Sequence, residues 1–60
     1  MVSFEAPSRA AIDAFHAAAL SAGAQDEGQP GTRDWAPNAY AAYVRDLDGN
    51  KLAVYCFKEA

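Results

Sequence analysis

The sequence predicts an α+β fold: a single βαβββ module, with one helix packed on a small mixed sheet, expected to pair with a second module. Three observations predict it. An Ala-rich stretch, Arg9 to Ala22, lies between Ser8, a good helix N-cap, and Gly23, placed where a helix-terminating glycine belongs. Residues 43–52, Tyr-Val-Arg-Asp-Leu-Asp-Gly-Asn-Lys-Leu, alternate around Asp-Gly, a strong short-range hairpin signal. Residues 1–5 alternate as well, with Val2 and Phe4 on one face, and give a strand before the helix.

Taken in order, the first strand covers 1–5 and stops at Pro7-Ser8. The helix follows, because Ala is the strongest helix former. Ile12, Phe15, Ala19 and Ala22 fall at the spacing of one buried stripe. Ala24 to Gly28 is expected to be a short polar strand. Gln29 to Asn38 contains Pro30, Gly31 and Pro37 and reads as a loop. Ala39 to Asp46 is the third strand, and Asn50 or Lys51 to Lys58 its hairpin partner. Leu47-Asp48-Gly49 fits a three-residue loop, a type I turn with Gly49 in the left-handed conformation, which sets Asp46 opposite Asn50.

That register sorts the side chains, since a slip of one residue would exchange the faces. Tyr40, Ala42, Val44, Leu52, Val54 and Cys56 share one face. It is expected to meet Ile12 and Phe15 of the helix, joined by Val2 and Phe4. The opposite face collects Ala39, Ala41, Tyr43, Arg45, Lys51, Ala53, Tyr55 and Phe57. It is too apolar to face water and is expected to line a cavity or a partner interface.

Length and composition bound the rest. Sixty residues make one small unit, in which a core alone gives marginal stability. Fifteen of them are Ala, so the 52% hydrophobic content overstates the core, and a partner surface is expected: a second copy in a homodimer, or a missing N-terminal module of a longer protein. The net charge of −3, without a basic stripe, argues against nucleic acid and anionic lipid. No apolar run approaches the roughly 20 residues of a membrane span, and no signal-peptide pattern is present. The single Cys excludes an internal disulfide framework and fits a cytoplasmic protein.

In this order the segments resemble a known family. Ser8-Arg9-Ala10-Ala11-Ile12-Asp13-Ala14-Phe15-His16 resembles an S-R-x-x-V-D-x-F-H/Y helix. Gly31 to Tyr40 looks like the family's loop before its third strand. Asp46-Leu47-Asp48-Gly49-Asn50 is similar to D-P-D-G-N, with Leu47 at a turn position that only prefers Pro. The family is the glyoxalase/bleomycin-resistance/extradiol dioxygenase group, the vicinal oxygen chelate superfamily. The resemblance implies one βαβββ module, expected to be the C-terminal half. One sheet face would pack on the helix, and the other would curve around a site closed by a second module. Its metal enzymes take a His from the first strand and a Glu from the last. The matching positions here hold Met1 and Ala53, so no metal site and no cofactor are expected within this module: Ala offers no ligand atom, and a thioether is too soft for such an ion.

Other chemistry is sparse. His16, the sole His, flanks the apolar stripe and is expected to serve packing. Ser3, Ser8 and Ser21 lack a nucleophile-elbow context. Cys56 is expected to be a small buried hydrophobe. Asp46 and Asp48 read as turn formers rather than as a calcium loop or a catalytic pair. No catalytic residue is assigned. The ligand-binding candidates are Tyr43, Tyr55 and Phe57, aromatic walls suited to a flat organic molecule. Arg45 and Lys51 stand at the rim, and Trp35 is either a lid or a strut at the sheet edge. Three functions fit this pattern: a module binding a small organic ligand without covalent chemistry, half of a metal-dependent lyase or dioxygenase, or a structural oligomerisation module in which the aromatics are an interface core.

Overall fold

The structure, a computed structural model, describes residues 1–59. Five elements follow in order: β1 (Val2–Glu5), α1 (Arg9–Ser21), β2 (Gln25–Thr32), β3 (Tyr40–Arg45) and β4 (Lys51–Cys56). The strands form one sheet in the order β1-β4-β3-β2. β1 runs parallel to β4, whereas β2–β3 and β3–β4 are antiparallel. The helix lies across β2, β3 and β4 on one face of the sheet.

The helix begins and ends where its caps dictate. Ser8 is extended, and its Oγ accepts the Ala11 N–H at 3.1 Å, satisfying one of the donors a first turn leaves free. At the other end Gly23 adopts φ +105°. Its N–H donates to Leu20 O and that of Ala24 to Ala19 O, the paired bonds of a Schellman motif. Ile12 is fully buried and Phe15 and Ala19 are partly so, as the stripe predicts, but Ala22 is exposed. Ala22 is the cap residue, where the chain already turns away from the sheet, and His16 takes the buried place one turn beyond Ile12.

The hairpin forms in the predicted register, with Tyr40 opposite Cys56, Ala42 opposite Val54 and Val44 opposite Leu52. Its turn is held by one carboxylate. Asp46 Oδ1 accepts the Asp48 and Asn50 N–H groups at 3.0 and 2.8 Å, and Asp46 O accepts the Gly49 N–H at 3.0 Å. Gly49, at φ +86°, occupies the left-handed position the loop requires. The Asn50 backbone N–H is the main reason the Asp46 carboxyl lies below its usual range. On the helix side, Ala6, Ile12, Ala42, Val54 and Cys56 make the core, with Ala11, Phe15 and Tyr40 against it.

Two further expectations are corrected. β2 runs to Thr32, so the segment read as a loop from Gln29 is strand as far as Thr32. Pro30 is tolerated because β2 is an edge strand, with register shifts on both sides of Gly28 that absorb its irregularity. Val2 and Phe4 stay outside the core, each 50% exposed. They lie at the opposite edge, on a strand that pairs only with β4 and that the helix does not cover.

Candidate functional site

The face of the sheet away from the helix is a shallow cup of about 430 Å³. Its floor is Ala41 and Ala53, central residues of β3 and β4 set diagonally, each opposite a tyrosine (Ala41 opposite Tyr55, Ala53 opposite Tyr43), and buried to 1% and 5% exposure. Small side chains at these two places let the larger ones around them stand up as walls. Tyr43 and Tyr55 rise from the same strands, Phe57 follows β4, and Met1 and Ser3 close the β1 side. Trp35 reaches the cup from the β2–β3 connection. That connection is shut at its base by the Arg33 N–H bonded to Ala39 O at 2.9 Å, and Asn38 turns it with φ +62°. The Trp35 and Phe57 rings meet edge to face at 6.0 Å, and Tyr55 and Phe57 at 5.7 Å. Trp35 therefore stands against the cup wall while remaining 51% exposed.

One glycine shapes this wall. A Cβ on Gly28 would lie 2.7 Å from Tyr43 Cδ2, so the bare backbone of β2 leaves room for the ring. The ring in turn sits under two cations, the Arg33 guanidinium at 5.4 Å and the Lys51 ammonium at 5.2 Å from its centroid.

The predicted site residues divide. Tyr43, Tyr55, Phe57 and Trp35 come together around the cup, and Lys51 lies beside Tyr43. Arg45 is drawn away: its guanidinium donates to Gly49 O at 2.7 Å and pairs with Glu27 at 3.1 Å. Arg33, which the sequence reading leaves inside the Gln29 to Asn38 loop, stands against the Tyr43 ring, as Lys51 does. It escaped notice because Pro30-Gly31 reads as a loop. An edge strand running through Pro30 was the one available signal.

Both positions that hold metal ligands in the resembling enzymes face the cup, and neither fits a divalent ion. Met1 offers only a thioether and Ala53 only a methyl. Among the described residues no three His, Cys, Asp or Glu side chains cluster suitably for a metal.

The remaining polar groups serve the fold. His16 is 7% exposed and its Nε2 lies 3.0 Å from Asp26 Oδ1, pinning α1 to β2. The Gly28 N–H first, then His16, holds the Asp26 carboxyl below its usual range. Tyr40 donates to Asp13 at 2.6 Å, which pushes its hydroxyl pKa up, and Arg9 lies over its ring at 4.8 Å. Cys56 is fully buried against the helix.

Solved structures share this architecture. A glyoxalase/bleomycin resistance protein from Albidiferax ferrireducens T118 superposes with a TM-score of 0.81 and 43% identity, over 92% of this chain and 44% of its own. An NAD-dependent benzaldehyde dehydrogenase from Legionella pneumophila matches with a TM-score of 0.77 over 93% of this chain and 46% of its own, at 23% identity, a likeness of fold alone. The chain thus spans less than half the length of either. No protein-family model and no curated protein matches it. On the match to the Albidiferax protein, 43% identical over 92% of its length, the chain is one βαβββ module of the glyoxalase/bleomycin-resistance, or vicinal oxygen chelate, superfamily.

Proposed function

We propose that this module binds a small, flat organic molecule in its cup, without a metal site of its own, and that a second βαβββ module closes the cavity. The observation carrying this is an aromatic-walled cup of about 430 Å³ whose two metal-ligand positions are Met1 and Ala53. Its volume lies within the usual range of small-molecule sites, but it is open on one side, as a half-site would be. The second module is a copy of this chain or the other half of a longer protein. Its docking edge is β1. The far edge, β2, is blunted by Pro30 and two register shifts, whereas β1 presents half-exposed Val2 and Phe4 beside unpaired backbone. A buried, reduced Cys56 supports a cytoplasmic setting.

Titration with flat aromatic compounds, read by Trp35 fluorescence, tests ligand binding; a parallel titration with manganese, zinc and nickel tests the metal-free reading. Saturable quenching by an aromatic compound with no tight metal binding is expected. Tight metal binding that perturbs the surroundings of Ala53 would contradict it. A second reading is favoured by the chain covering only 44% of the glyoxalase/bleomycin resistance relative: half of a metal-dependent lyase or dioxygenase whose ligands lie in the other module. A coding sequence that continues upstream with a His and a Glu at the corresponding places would favour it.

A further inference from the structure

We propose that the cup selects an anionic ligand, an aromatic or otherwise flat carboxylate, whose charge is met by Arg33 and Lys51 at the Tyr43 wall. The inference deepens the binding function above and rests on it. Its basis is the uneven placement of charge. The chain is acidic, with eight Asp and Glu against five Lys and Arg, yet two of those five cations, Arg33 and Lys51, stand against the Tyr43 ring, and a third, Arg45, lies opposite Lys51 in the hairpin. Only one of the three is neutralised. Arg45 pairs with Glu27, whereas among the described residues Arg33 and Lys51 lie within 4.0 Å of no carboxylate.

Their donors are also available. Lys51 Nζ makes no hydrogen bond among the described residues. Arg33 spends one bond from each terminal nitrogen on backbone, to Thr32 O at 3.1 Å and Gln29 O at 3.0 Å. A guanidinium has five N–H donors, so those two bonds fix its position and leave others free. Two cations within 5.4 Å of one tyrosine ring, neither paired with a carboxylate among the described residues, would attract an anion, and that ring is itself a wall of the cup. A ligand stacked along Tyr43 would bring a carboxylate to both cations through charge-assisted hydrogen bonds. Two of the acids on the hairpin side are already engaged. Glu27 is held by Arg45, and the Asp46 carboxylate is turned into its own hairpin loop.

The test compares benzoate with benzamide, equal in shape and different in charge, titrated into the 60-residue chain. The methyl resonances of Ala41 and Ala53 report from the cup floor. Both compounds are expected to shift them, with benzoate binding at least about fivefold more tightly at low salt. That preference should shrink as ionic strength rises, because exposed charges are screened. It should vanish in the double variant Arg33→Gln/Lys51→Gln and persist in Lys51→Arg. Equal binding of the two compounds overturns the anion preference and leaves the cup as a binding site. A preference that survives salt or the double variant overturns the assignment to these two cations. Methyl resonances that move with neither compound overturn this inference and the binding function together. The salt series needs no variant and decides the matter should the double variant not fold.

Discussion

The two faces of this sheet are cut from the same strands and meet opposite fates. On one, Ala42, Val54 and Cys56 vanish under Ile12 and Phe15 of the helix. On the other, the next residues along, Ala41, Ala53, Tyr43 and Tyr55, form a floor and walls that no helix covers among the described residues. Strands of one-sided sheets alternate apolar and polar residues. In β3 and β4 both registers are apolar, so the chain carries two hydrophobic faces and one helix to cover them. The molecule is a slab 32 × 19 × 15 Å, and the face without a helix carries the proposed ligand site.

The comparison can be broken most forcefully from the helix side. Ile12→Ala removes the central covering side chain, at a cost of about 2 to 5 kcal/mol. In a unit this small that is a large part of the total stability, and thermal melting should lose its cooperativity. Tyr55→Ala on the open face should cost less, about 1 kcal/mol for its edge-to-face pair with Phe57 plus the apolar burial of a half-buried ring. A melt that ranks these two in the opposite order would show that the cup face, not the helix face, holds the fold together. Gly28→Ala sharpens the contrast. It should force the Tyr43 ring aside, shifting its resonances and weakening aromatic ligands severalfold, with a stability loss of about 1 to 3 kcal/mol from the crowded wall.

Acid and base act on the polar fasteners. The Asp26 and Asp46 carboxyls titrate below the ordinary 3.8 in the fold. Their contribution is therefore complete above the unfolded value and is lost as pH falls through their lower folded values. Asp46→Asn should flatten part of this acid limb in a pH series of melting temperatures. Tyr40 titrates above the ordinary 10.0, so its bond to Asp13 stabilises fully below that pH and fades as pH rises beyond it. Tyr40→Phe, the mildest change, should remove that alkaline decline.

Much of this contrast is legible in the sequence. Ser8 and Gly23 fix the helix ends, and Asp46-Leu47-Asp48-Gly49-Asn50 fixes the turn. Once the turn is fixed, a period of two assigns every side chain of β3 and β4 to its face. What was hidden depended on position in the sheet. Pro30 and Gly31 break a central strand and are tolerated in an edge strand, and only tertiary structure says that β2 is an edge. Arg33 is hidden with that segment, and the period of two that puts Arg45 at the rim does not show that it bonds to Gly49 and Glu27. Val2 and Phe4 were assigned to the core by their alternation, which names a face and does not say how far a thirteen-residue helix reaches across it.

The need of the open face for a cover is tested most directly by light scattering on the 60-residue chain, with quencher access to Trp35 followed at the same concentrations. A mass of twice 6.4 kDa, with Trp35 shielded in the dimer and opened on dilution, is the predicted result. A cooperatively folded species that stays at 6.4 kDa at every concentration, with Trp35 freely quenched, would contradict it.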